Sequence, residues 1–255
     1  MRAGVFAFAV SCALLASGCN SLPGKPAPGP EVPRPESILS PQVLFAQNCS
    51  GCHGTEGQHG PATPLASPVY QALVDDATLR RVISRGLPGS MMPAFAQSAG
   101  GELTDAQVDS IVRGIRAKWN KGDALKVANL PPYADDGKGD AKAGEQVYAN
   151  NCANCHGPAG GKIGEAGSVL NPDFMTLMAP QTFRTTVIVG RPDLGMPDWR
   201  DQMDSPMTAQ QVSDVVAFLM AQKPNAPAGR TQAPQATQGA AHQRALQPRI
   251  SGGAR

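Results

Sequence analysis

The sequence predicts an all-α chain made of two tandem copies of one small domain. Three observations carry this. First, three stretches recur 103 or 104 residues apart along the 255-residue chain: "LFAQNCSGCHG" from Leu44 returns as "VYANNCANCHG" from Val147, "MMPAF" as "GMPDW", and "LTDAQVDSIVRGI" from Leu103 as "MTAQQVSDVVAFL" from Met207. Agreement over whole units at one period indicates a duplicated domain. Second, each copy ends in an i, i+3, i+4, i+7 apolar stripe, formed by Val108, Ile111, Val112 and Ile115 and then by Val212, Val215, Val216 and Leu219. That is the pattern of an amphipathic helix. Third, no run alternates apolar and polar residues as a half-buried strand would.

The elements follow in chain order. Met1 and Arg2 precede an apolar run from Val5 to Leu15 and then "ASGC". A basic start, a short apolar run and small residues describe an export signal over residues 1–18, and eleven apolar residues are too few to span a bilayer. The segment resembles a bacterial lipoprotein signal. That resemblance implies lipidation of Cys19 as the first mature residue, although Ala16 stands where such signals usually carry Leu or Val. Residues 19–37 are Pro-rich and read as an extended tether. Copy one occupies 38–119. Gln42–Cys52 and Leu79–Arg85 are its first expected helices, and Thr104 is the expected N-cap of its last. Residues 120–139 carry Pro-Pro and three Gly and read as a linker. Copy two occupies 140–222, with helices expected over Ala141–Cys155 and Phe183–Val189 and an N-cap at Thr208. Residues 223–255 hold five basic and no acidic side chains and lack apolar periodicity, as expected of a disordered basic tail.

The chemistry lies in what both copies retain. On a helix, Cys49, Cys52 and His53 share one face, as do Cys152, Cys155 and His156. Two thiols so placed can each add to one of the two vinyl groups of a haem, and the adjacent imidazole then lies beneath the iron as an axial ligand. Cys-x-x-Cys-His is the attachment signature of haem c. A zinc site would need a fourth ligand in each copy, but no further cysteine lies in either domain and the one spare histidine, His59, lies in copy one alone. A redox dithiol or a structural disulfide would leave the paired histidines unexplained. A bound cofactor also fits a chain with only 5% aromatic residues, because two small cores would otherwise be hard to fill.

Met92 and Met196 are candidates for the sixth iron ligand. Each precedes a proline and lies at a matching distance from its haem histidine, and His/Met ligation raises a haem potential. Met91 is the local rival in copy one; Met203 and Met207 are rivals in copy two. With "CSGCH" and "MPAF", then "CANCH" and "MPDW", each followed by a terminal amphipathic helix, residues 38–119 and 140–222 resemble tandem class I cytochrome c domains. The resemblance implies a few helices wrapped around each covalent haem, one-electron transfer, and a loop proline carbonyl that orients the ligand histidine. Pro61 is the expected residue in copy one, and copy two offers no clear equivalent. Trp199 stands at the Phe95 position.

Together these readings describe an exported dihaem c-type cytochrome, lipid-anchored on the periplasmic side of a bacterial membrane, that carries electrons between respiratory partners without being an enzyme. The alternatives are a dihaem peroxidase or sulfur-compound dehydrogenase, and a dedicated cytochrome subunit of a membrane oxidase or dehydrogenase complex. Expected partners are redox proteins and the membrane, not nucleic acid. Copy one is neutral, whereas copy two carries nine acidic against five basic residues, a net charge of −4. Asp198, Asp201 and Asp204 follow Met196 closely, and Arg191 and Arg200 flank the same loop and cancel part of their charge; the second haem is expected to have the lower potential.

Overall fold

The computed structural model describes residues 29, 31–120, 122, 129–134, 137–200 and 206–224. The expected signal, Cys19, most of the tether, Met203, Asp201, Asp204 and nearly all of the tail lie outside the described residues.

Each copy builds its helices from local start and stop signals. In copy one, helix α1 spans Pro41–Asn48; Ser40 caps it by accepting the Val43 N–H, and Pro41 occupies the first turn. The chain then turns at Cys49 (φ −120°, ψ −34°) into the single-turn α2, Ser50–His53, which Gly54 ends at φ +78°. Helix α3 spans Pro68–Leu73, α4 Asp76–Arg85 and α5 Asp105–Trp119. Copy two repeats the order with α6 Ala141–Asn151, α7 Ala153–His156, α8 Pro172–Thr176, α9 Pro180–Val189 and α10 Ala209–Ala221. Thr104 and Thr208 both cap as expected, each in a reciprocal capping box with the glutamine three residues on. Among the described residues there is no strand, only the isolated bridges Ala96–Leu103 and Arg191–Met196.

The structure departs from the expected elements in three ways. The helices expected over 42–52 and 141–155 each break at the first cysteine. Helices α4 and α9 begin three residues earlier than expected, at Asp76 and Pro180. Helices α3 and α8 were not expected at all, although Ser67-Pro68 and Asn171-Pro172 are cap-plus-proline starts.

The first and last helices of each copy cross closely. All four stripe residues of α5 and all four of α10 are buried, and each burial of that size contributes about 1.5–3 kcal/mol. The crossing needs a small residue on one side. In copy two it is Gly144 of α6, where an added Cβ would lie 1.9 Å from the Asp214 carbonyl oxygen and 2.8 Å from the Phe218 Cβ. In copy one it is Gly114 of α5, where a Cβ would lie 2.4 Å from the Pro41 Cβ. Positions 41 and 144 correspond in the repeat, as do 114 and 218, so the glycine has changed sides. The segment before each first helix is latched to the last. Ser110 Oγ donates to Leu39 O (2.6 Å), and Asp214 Oδ1 accepts the Asp140 N–H (2.8 Å). The linker is held by α9, where Arg184, 1% exposed, donates to Pro132 O and Ser213 Oγ, and Gln181 donates to Tyr133 O. No described helix is long and apolar enough to cross a membrane.

Candidate haem attachment sites

Each attachment turn is a closed helical loop. The His53 N–H donates to Cys49 O (2.9 Å), and the His156 N–H to Cys152 O (2.9 Å). This sets both cysteines and the histidine of a copy on one turn, as the spacing requires. Cys49 and Cys152 are half-buried, Cys52 and Cys155 are exposed, and no disulfide joins the four. Burial, reinforced by the neighbouring cysteine, pushes Cys49 and Cys152 up to about 12, so both stay protonated at neutral pH.

The imidazoles are fixed by carbonyls on the following loop. His53 Nδ1 lies 2.8 Å from Thr63 O, and His156 Nδ1 lies 2.9 Å from Gly167 O. A carbonyl can only accept, so Nδ1 carries a proton in both rings, and Nε2 is the nitrogen left for a metal. Burial lowers the His53 pKa, against a smaller opposing effect of the Thr63 bond, and so favours the neutral ligand form. This corrects the expectation for Pro61. The orienting carbonyl is that of Thr63, two residues further on, and the Pro61 carbonyl faces Arg191 Nη1 at 3.5 Å. The loop turns where glycines allow it. Gly54 and Gly157 adopt φ of +78° and +86°. Gly60 and Gly164 pass so close to the second cysteine that a Cβ would lie 2.2 Å from its carbonyl oxygen. That closeness lets the Ala62 and Ala166 N–H groups donate to Cys52 O and Cys155 O. In copy two, Tyr148 OH also donates to Gly157 O (2.8 Å).

The methionine loops are built alike. Gly86 and Gly190 end α4 and α9 with positive φ and sit against the backbone of Met92–Pro93 and of Pro197–Asp198. The Leu87 N–H donates to Met92 O, and the Arg191 N–H to Met196 O. Met92 and Met196 are half-buried at the same point of this loop. Met91 is 70% exposed, and Met207 is packed in the core, bonded through its N–H to Trp199 O. Trp199 is buried. His59 lies on the loop surface at φ +64°.

Charge near Met196 is balanced locally. Asp193 pairs with Arg191, and Asp198 with Arg200 (2.6 Å). The expected ordering of the two potentials drew on the acids here, less the part that Arg191 and Arg200 cancel. Of the three named, Asp198 is neutralised, while Asp201 and Asp204 lie outside the described residues.

The donor set fits haem c. Each copy offers two thiols three residues apart on one turn, an imidazole with Nδ1 committed to a backbone carbonyl, and a half-buried thioether at a matching loop position. Two such copies define a dihaem c-type cytochrome. Residues 36–113 and 139–219 match the sequence model of the cytochrome c oxidase, cbb3-type, subunit III family, and the chain belongs to that family. It is similar to the Cbb3-type cytochrome c oxidase subunit CcoP of Rhodobacter capsulatus, at 33% identity over 62% of this chain and 52% of that protein. The CcoP subunit of an Azospirillum species is 33% identical over 44% of this chain and 37% of that protein. The subunit FixP of Azorhizobium caulinodans is 27% identical over 70% of this chain and 58% of that protein. The chain thus spans about half the length of the curated relatives it matches.

Proposed function

We propose that this chain is the dihaem cytochrome c subunit of a membrane-bound terminal oxidase, passing electrons one at a time from a redox donor toward the oxidase core. The observation that carries the reading is the repeated Cys-x-x-Cys-His turn, in both copies of which a backbone carbonyl commits the histidine Nδ1. Cys49 and Cys52, and Cys152 and Cys155, would hold the two haems through thioether bonds. His53 and His156 would each offer Nε2 to the iron, and Met92 and Met196 a thioether sulfur. Bound haem c supplies an iron that changes its charge by one electron without chemistry on a substrate. The residues around it fix the orientation of each imidazole through the Thr63 and Gly167 carbonyls. A ligand pair that fills both axial positions suits a carrier rather than an enzyme. Export, a periplasmic position and a lipid anchor at Cys19 belong to the same reading.

Affinity purification from detergent-solubilised membranes of the native host tests it. The expected result is co-purification of catalytic oxidase subunits together with oxygen consumption. Recovery of the chain as a free dihaem protein, with no oxidase subunits, would favour an independent shuttle instead.

A further inference from the structure

The two copies differ most usefully at residues 191 and 193. Copy two has Arg and Asp there, on the loop that carries Met196, whereas copy one has Leu87 and Gly89. Arg191 grips Asp193 with two bonds, Nε to Oδ1 and Nη2 to Oδ2, both 2.9 Å. Neither side chain turns to solvent: Arg191 is 14% exposed and Asp193 only 2%. Both reach into copy one. Arg191 Nη2 donates to Gly60 O (2.7 Å), Nη1 lies 3.5 Å from Pro61 O, and Asp193 Oδ2 accepts the His59 N–H (2.8 Å). His59 is held at φ +64° with its N–H on that carboxylate. A non-glycine residue in this region costs about 1–2 kcal/mol and marks a conformation imposed by its surroundings.

The contact joins the parts of the two copies that carry the chemistry. Arg191 is laddered to Met196 by two backbone bonds, 2.9 and 3.0 Å. Gly60, on the far side, lies against the Cys52 carbonyl, and Ala62 N–H donates to that same oxygen (2.9 Å). A hydrogen-bonded chain therefore runs from the Met196 backbone through the Arg191 guanidinium and the 60–62 loop to Cys52.

We infer that Arg191 and Asp193 are positioning residues forming an inter-domain clasp, which fixes the Met196 loop of the second haem site on the Cys52–Thr63 loop of the first and thereby sets the path of electron exchange between them. The inference rests on the dihaem function proposed above. A forked guanidinium is suited to the task because it holds a carboxylate and a backbone carbonyl at once, which an ammonium on a flexible stem does not.

The test uses the full-length holoprotein with Asp193→Asn and Arg191→Lys. Hydrogen exchange at the His59 amide reads the clasp without reference to the cofactor. Pulse-reduction kinetics read the exchange between haems, and redox titration of each haem serves as the control. Asp193→Asn is expected to speed exchange of the His59 amide on the order of tenfold, because a charge-assisted bond becomes a neutral one. It is also expected to remove the fast intramolecular phase, by more than the change in driving force that the redox titration reads. Arg191→Lys is expected to behave likewise. An unchanged His59 amide, a retained fast phase, or full rescue by lysine would overturn the clasp; a wild-type chain with fewer than two haems would instead count against the proposed function, and the His59 amide would still judge the clasp.

Discussion

Two glycines nine residues apart should respond oppositely to the same substitution. At Gly60, an alanine Cβ would lie 2.2 Å from Cys52 O and 2.7 Å from Gly54 N. Ordinary contact begins near 3.4 Å, so the 60–63 loop must retreat by about 1.2 Å from rigid backbone. A retreat of that size would stretch the 2.8 Å bond between His53 Nδ1 and Thr63 O to about 4 Å, beyond hydrogen-bonding range. The loss of the bond costs about 1 kcal/mol, and overpacking adds about 1–3 kcal/mol. In a domain of this size, each kcal/mol lowers the melting temperature by about 4–8 °C. Gly60→Ala should therefore lower the melting temperature of the first domain by at least about 8 °C and broaden the spectroscopic signature of its haem, while the second haem stays as it was. Gly51 lies inside the attachment motif itself, yet a Cβ there meets nothing within 4 Å. Gly51→Ala should be neutral or stabilising, by up to about 1 kcal/mol from helix propensity. Thermal unfolding with haem-resolved absorbance measures both variants. A Gly60→Ala protein with native melting and a native first haem would refute the steric reasoning.

Intact mass of the mature protein should exceed the polypeptide by two haem masses that acid acetone does not extract; one haem or none would remove the central reading. Met92→Ala and Met196→Ala should each leave haem attached, abolish the sulfur-to-iron charge-transfer band of that haem and lower its potential; loss of the band in Met91→Ala but not in Met92→Ala would reassign the ligand. Cys19→Ser should move the protein from the membrane to the soluble fraction, since firm attachment takes more than one acyl chain, and wild-type protein found wholly soluble would refute the anchor. Hydrogen bonding from Arg191, with the His59 amide assisting, holds Asp193 down to about 2. Its folded pKa is depressed, so its contribution is fully present above the unfolded value near 4 and is lost as pH falls toward 2. Acid titration of the melting temperature should show that loss in wild type and a flatter curve in Asp193→Asn.

The sequence made the repeat, the attachment turns and the terminal helices plain, because each rests on local chemistry that recurs. Thr104 and Thr208 could be named as caps from residue type and position alone. What stayed hidden depended on where backbone groups point. The Thr63 and Gly167 carbonyls share no side-chain chemistry, so nothing in their letters marks them as partners of His53 and His156. Pro61 drew attention because its side chain is distinctive, but the loop turns its carbonyl toward Arg191. The break at Cys49 was equally silent, since the residues around it suit a continuous helix. Arg191 and Asp193 could have been suspected from the repeat itself, where copy one has only Leu87 and Gly89. Near Met196 the letters place Arg200 beside the acids, and the structure adds that it pairs with Asp198.

The glycine that changes sides at the helix crossing bears on how a chain with two similar halves folds at all. Tandem domains of related sequence are liable to assemble with one another's pieces. Here a mismatched pair is penalised in both directions. Pairing α1 with α10 would set Pro41 against Phe218, two bulky groups where the crossing admits one. Pairing α6 with α5 would set Gly144 against Gly114 and leave a void. Overpacking and cavities each cost on the order of 1–3 kcal/mol. Each half therefore carries a steric key that its own partner helix fits and the other half's does not, so the first helix of each half is matched to its own last helix.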